Sequence, residues 1–307
     1  MLVKTPENAL KHLDSVRFVQ PLKLCYHCPI LTQAHMKTLV KIITFLIVML
    51  FATKHCFALS NPDSLWNIWK NNSLSNETRL EALDILIKDA YISTKPDSAY
   101  YLAQLEYDLA EKNGLKKYSG KALIFQGLVF RIQGELDKSI ETTKRALQML
   151  EAGGFKRESA ACYNYIGNIC SMKEKADSAF LMYEKALQIA HAIKDTATIG
   201  AVYNSLGIQY KNKGEYVKAI ESYNQSLKAA KDLHDEAGIG RCLANIASVY
   251  QFQGYYVKAL EYYFKSLELL EKNANLVNMT KTYANIGSVY YYQKDFPKSI
   301  EYFSKAL

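Results

Sequence analysis

The stretch IGAVYNSLGIQYKNKGEYVKAIESYNQSLKAAKD, residues 199–232, decides the fold. Its first half places Ile199, Val202, Tyr203, Leu206 and Tyr210 at i, i+3, i+4, i+7 and i+11, one face of an α-helix. Lys213-Gly214-Glu215 interrupts that period, and glycine readily takes the left-handed backbone that ends a helix. A second apolar face follows in Tyr216, Ala219, Ile220, Tyr223 and Leu227. The segment reads as two helices joined by a tight turn, and neither helix can cover its apolar side alone.

Outward from this hairpin the pattern recurs every 40 residues. Gln126-Gly127, Ile166-Gly167, Leu206-Gly207, Ile246-Ala247 and Ile286-Gly287 form one series. Phe130, Cys170, Tyr210, Tyr250 and Tyr290 follow three residues later. The second helices carry Ser139, Ala179, Ala219, Ala259 and Ser299, then Thr143, Tyr183, Tyr223, Tyr263 and Phe303, then Leu147, Leu187, Leu227, Leu267 and Leu307. Such periodicity is the mark of a stacked repeat, in which each unit buries its apolar side against its neighbours. The glycines and alanines let paired helices approach closely, and the large Tyr and Leu residues fill the space between units.

These residues resemble the tetratricopeptide repeat. The resemblance rests on Leu206-Gly207-x-x-Tyr210, Gly214, Tyr216, Ala219, Tyr223 and small Ser226, and it runs from about Arg79 to the end. It implies an all-α fold, a right-handed solenoid of stacked antiparallel helix pairs. Two departures stand out: the usual repeat has 34 residues, and the proline that closes its second helix is replaced here near Lys231. Both fit a second helix prolonged by more than one turn. The expected organisation is a mis-started upstream extension in 1–35, an export signal in 36–58, a linker or N-terminal cap in 59–78, a degenerate first repeat in 79–120 and five 40-residue units in 121–307, the last one truncated. In the degenerate unit, Asp97-Ser98-Ala99-Tyr100 aligns with Asp177-Ser178-Ala179-Phe180, and Trp66 and Trp69 are expected to fold back as the cap.

The export reading rests on MKTLVKIITFLIVMLFATKHCFA, residues 36–58. Lys37 and Lys41 precede an 11-residue apolar run, Ile42 to Ala52, too short for the ~20 residues of a membrane span. Cys25-Tyr26-His27-Cys28 lacks the second ligand pair that zinc requires, so no metal is expected. Residues 1–58 hold seven basic and two acidic residues, leaving 31 and 28 in the rest. Those charges are interspersed, with no basic stripe, which argues against nucleic acid as partner. Only six prolines occur in 307 residues, and Pro96 and Pro297 sit where a helix begins.

Catalytic constellations are absent: there is no phosphate-cradling glycine loop, no paired histidines on one helical face and no nucleophile elbow. Beyond the signal, His191 and His234 fall near second-helix ends, and Cys162, Cys170 and Cys242 read as free core thiols. The chain is expected to be a non-enzyme without cofactor.

By resemblance to the family, the first helices line a concave groove that holds a protein or peptide partner. The groove positions are Asn164, Asn168, Asn204, Lys211, Arg241, Gln251, Phe252, Lys281, Tyr291 and Tyr292, with Ser171, Ser248 and Ser288 among them. Amides bond to a peptide backbone as both donor and acceptor. Lys211, Arg241 and Lys281 are suited to a carboxylate, and Phe252, Tyr291 and Tyr292 offer apolar area. The expected function is an exported scaffold in the periplasm or at the outer side of the membrane. The alternative is the sensor region of a membrane signalling protein, since the layout resembles the extracytoplasmic front of such proteins. Its transmembrane helix and its cyclase, kinase or transcriptional output would lie beyond residue 307.

Overall fold

The computed structural model describes residues 62–307 apart from Ala274. The upstream extension, the export segment and the first residues of the expected linker lie outside the described residues.

Three segments open the array: α1 (Pro62–Lys70), α2 (Asn76–Ile85) and a π-helical turn, Leu86–Tyr91, that continues α2. Then come α3 (Pro96–Lys112), α4 (Lys116–Ile132), α5 (Leu136–Ala152), α6 (Lys156–Met172), α7 (Ala176–Ala192), α8 (Thr196–Asn212), α9 (Tyr216–Asp232), α10 (Glu236–Phe252), α11 (Tyr256–Lys272), α12 (Leu276–Tyr292) and α13 (Phe296–Lys305). From α3 on, a helix begins every 20 residues, and three-residue turns join them. First and second helices are both 17 residues long, as in α8 and α9, so the lengthening of the unit is shared by the pair. The hairpins α4–α5, α6–α7, α8–α9, α10–α11 and α12–α13 stack in sequence into a helical solenoid. No strand occurs among the described residues. None of their helices is long and apolar enough to cross a membrane.

From α3 on, one turn geometry recurs at every fully described turn. Gly214 has φ +77°, its N–H bonds the Lys211 carbonyl at 3.0 Å, and the Glu215 N–H reaches back to the Tyr210 carbonyl at 2.9 Å. This pair of bonds satisfies carbonyls that the helix end leaves open. The same left-handed position is occupied by Glu174, Lys194, His234 and Lys294, where only the glycines were legible as breaks.

The small-on-large packing holds. A Cβ added to Gly207 would stand 2.5 Å from the Tyr223 ring, and one on Gly167 would stand 2.6 Å from Tyr183. Tyr183, Tyr223 and Tyr263 are among the largest fully buried side chains. Where the second helix carries serine, its hydroxyl bonds the first helix: Ser139 donates to the Gly127 carbonyl at 2.6 Å, and Ser299 to that of Gly287 at 2.9 Å. On and after α13, Ile300, Phe303 and Leu307 are exposed.

At the other end of the described residues α1 packs on α2 and α3. Leu65 is buried among α2 and α3 residues, with Trp66 and Trp69 packed against the same cluster. Trp66 Nε1 donates to the Tyr91 hydroxyl at 3.2 Å, and Arg79 lies over the Trp69 ring while its Nε donates to the Trp69 carbonyl at 2.9 Å. Pro96 begins α3, and Pro297 lies in the first turn of α13.

Candidate functional site

The first helices α4, α6, α8, α10 and α12 repeat one register, so residues 40 apart come to equivalent places on successive helices. Asn164 and Asn204 share one such place, and Lys121, Ala161, Ala201, Arg241 and Lys281 share another. Around Ala201 the small residue leaves a cavity of about 310 Å³. Its walls come from Asn164 and Asn168 on α6, from the Thr196–Ser205 stretch of α8, from Ser226, Ala229, Ala230 and Leu233 on or just after α9, and from Asp235, Arg241 and Cys242 at the start of α10. Four of the ten predicted groove residues, Asn164, Asn168, Asn204 and Arg241, therefore converge on one site.

Their chemistry differs. Asn164 is buried, and no described residue donates to its Oδ1, which is itself shielded from solvent. Leaving such an atom unbonded costs about 1–3 kcal/mol. Asn168 instead spends its Oδ1 on the Tyr183 hydroxyl at 2.9 Å. Asn204 accepts from Asn245 Nδ2 at 2.7 Å, which links two first helices across the stack. Arg241 is exposed at the rim. On the floor Cys242 Sγ lies 3.3 Å from Ser226 Oγ, and burial pushes the thiol's pKa up, so it stays protonated.

The other six predicted residues lie elsewhere. Lys211 donates to Ser248 Oγ at 3.2 Å and sits 5.1 Å from the Phe252 ring centre, and burial lowers its pKa. Phe252 is 64 % exposed. Gln251 is occupied at both ends of its amide, donating to Ser288 Oγ at 3.2 Å and accepting from the buried Tyr263 hydroxyl at 2.8 Å. Tyr292 stacks on Tyr256 at 6.1 Å, and Tyr291 meets Tyr292 and Phe296, both at 5.9 Å. Lys281 is exposed on α12. Lys211, Gln251, Phe252, Tyr291 and Tyr292 form a second, largely aromatic stretch toward the turns that follow the first helices, while Lys281 keeps the register of Arg241 near the start of α12.

A polar cluster that sequence reading missed lies near the cap. Lys121 Nζ meets Asp84 Oδ2 at 2.5 Å, while Asp84 Oδ1 has no donor among the described residues. Beneath them the Glu106 side chain is fully buried, with both oxygens unbonded. Burial chiefly, and the Asp84 charge in addition, hold the Glu106 pKa well above the usual carboxylate range, with Lys121 acting in opposition. A signal existed: Ala99, Leu102, Ala103, Glu106 and Ala110 form the buried face of α3, so Glu106 stands in an apolar register. Likewise Gly200, Ala229 and Ala230 line the cavity and were not picked out, because small residues look like packing positions.

Cys162, Cys170 and Cys242 are free and buried. His191 ends α7, and His234 occupies the turn after α9. Among the described residues no group of three His, Cys, Asp or Glu side chains is placed to hold a metal.

The architecture defines a helical-repeat solenoid whose first helices repeat one register. Tetratricopeptide repeat models match residues 118–192, 198–272 and 280–307, more than half of the chain. The chain belongs to the tetratricopeptide repeat family. Among solved structures it is similar to a Rap protein complexed with Competence and Sporulation Factor, with TM-score 0.65 and 16% identity over 84% of this chain and 71% of that one. It is also similar to NprR in complex with its cognate peptide NprX, with TM-score 0.57 and 16% identity over 88% and 78%. A third is the signal transduction ATPase with a tetratricopeptide repeat sensor from Pyrococcus horikoshii, with TM-score 0.63 and 18% identity. The alignment to it covers 91% of this chain but only 40% of that protein. No curated protein matches by sequence. At these identities the likeness is one of fold.

Proposed function

We propose that this chain is a non-catalytic recognition scaffold that holds an extended peptide, or a protein segment in extended form, along its first helices. The observation that carries this reading is the cavity where three successive first helices meet, lined by Asn164, Asn168 and Asn204, with Arg241 at its rim. Amide side chains suit a peptide backbone, and a peptide carboxylate suits the exposed guanidinium. Two of the similar structures are complexes, one with a cognate peptide and one with Competence and Sporulation Factor, which is consistent with this use of the fold. The balanced charge beyond residue 58 keeps nucleic acid out of the reading.

The test is a pool of random eight-residue peptides passed over the immobilised chain, with bound sequences read out. Enrichment that weakens about tenfold or more in Arg241→Ala or Asn204→Ala supports the groove. Equal enrichment on the native chain and both variants overturns it. The same reading places the chain outside the cytoplasm, on the strength of residues 36–58. Amino-terminal sequencing of the expressed protein checks this: a start near Leu59 supports export, and recovery of residues 1–35 removes it.

A further inference from the structure

The turns that join the two helices of each hairpin fall at residues 131–138, 171–178, 211–218, 251–258 and 291–298, along one edge of the array. The 40-residue period makes these stretches equivalent, yet they are not alike. The first two hold four basic and four acidic residues and no aromatic one. The last three hold six lysines, two acidic residues and seven aromatic ones. Single positions show the change: Asp137 and Asp177 give way to Val217 and Val257, and Glu135 gives way to Tyr255. Both valines are open to solvent, 71 % and 79 % exposed, and Phe252, Tyr255, Tyr291 and Phe296 are exposed as well.

The three edges make one surface. Lys211 Nζ on α8 lies 5.1 Å from the ring centre of Phe252 on α10, and Tyr256 on α11 stacks with Tyr292 on α12 at 6.1 Å. Both acidic residues are engaged within it, Glu215 by Lys218 at 2.6 Å and Asp295 by Lys298 at 3.2 Å. Lys213, Lys258 and Lys294 form no ion pair among the described residues. The surface is therefore apolar, aromatic and net positive, where the first two hairpins are polar and neutral.

We infer that this edge of the last three hairpins docks on a bilayer surface that carries anionic lipid headgroups. Tyrosine has an apolar body and a polar tip, which suits the boundary between headgroups and acyl chains. Lysine lays its stem along apolar surface and keeps its amine at the level of the lipid phosphates. Each such lysine strengthens attraction to an anionic leaflet. An acidic polypeptide would neutralise the lysines but offers no apolar layer to Val217 and Val257. The inference is independent of the groove reading.

The test is hydrogen exchange of the full chain with vesicles of phosphatidylcholine alone or mixed with phosphatidylglycerol. Exchange should slow at residues 213–218, 253–258 and 293–298 with the anionic vesicles and stay unchanged at 133–138 and 173–178. High salt should weaken the effect. Val217→Asp, Tyr255→Glu and Val257→Asp together install the residues that the α4–α5 hairpin carries at these places. That variant should need about tenfold more lipid for half-maximal slowing at 293–298. Lys258→Gln with Lys294→Gln keeps the apolar residues and should act in the same direction if the first variant folds poorly. Slowing that is absent from these turns, equal with neutral vesicles or undiminished in a folded variant overturns the inference. Slowing by polyglutamate and not by vesicles assigns the edge to an acidic protein and overturns it too.

Discussion

The opening segment, from α1 to α3, and the periodic array that follows it bury their apolar surface by different means. In the array every hairpin sets a small residue on the first helix against a large one on the second, and the same three-residue turn returns each time. In the opening segment a short α1 packs Leu65 and two tryptophans against α2 and α3, a π turn continues α2, and Glu106 takes a core position. In a stacked array, equivalent side chains meet equivalent neighbours, so one packing solution recurs. The comparison teaches that regular packing follows from a repeated sequence, and that the opening segment, which does not repeat it, buries its surface with contacts of its own.

The strongest way to break the array is to remove a ring from between two units. Tyr223→Ala should cost about 3–5 kcal/mol, because the side chain is fully buried and the surrounding helices cannot collapse onto the space. Gly207→Leu attacks the same contact from the other side and should cost about 1–3 kcal/mol, since even a Cβ would collide with the Tyr223 ring. Urea melts followed by circular dichroism measure both. An unchanged midpoint in either variant would break the packing account of the array.

The opening segment should respond with the opposite sign. Glu106→Gln removes a buried ionisable group and should stabilise the protein by about 1–3 kcal/mol near neutral pH. The folded-state pKa of Glu106 lies above its unfolded value, so the carboxyl is accommodated at low pH and penalises folding as pH rises through the ordinary carboxylate range. The gain from Glu106→Gln should therefore vanish near pH 4 and grow above it. A pH series of melts comparing the two proteins tests the sign, and a gain independent of pH would refute it.

The turns offer the finest test. His234→Gly and Lys294→Gly place glycine where φ is +53° and +63°, and each should stabilise by about 0.5–1 kcal/mol. Gly214→Ala should cost a similar amount for the same reason. Melting temperatures that move the other way would show that side-chain contacts at these turns outweigh backbone strain.

Much of this was legible in the linear sequence. The positions of the first-helix Gly and the second-helix Tyr follow from spacing alone, because an undistorted 40-residue repeat leaves equivalent residues in equivalent surroundings. Pro96 and Gly214 announced a helix start and a helix end through their own backbone preferences. The candidate site was half legible. Asn164, Asn204 and Arg241 were placed by register on the first helices, and they meet at the cavity. Gln251 and Asn168 occupy groove register too, yet their amide oxygens serve the buried hydroxyls of Tyr263 and Tyr183. Register does not reveal which polar groups a neighbouring helix has already engaged.

The sequence by itself determined that this chain folds as stacked helix hairpins with a 40-residue period, and which side chains lie between units. Periodicity suffices for that, since every interior repeat meets the same neighbours. Only the tertiary structure decided where a void remains, which amide oxygen has no donor among the described residues and that Glu106 is buried with no hydrogen-bond partner among them. Those are differences between nearly identical neighbours, and they appear only when a large residue in one hairpin is set beside its small counterpart in the next.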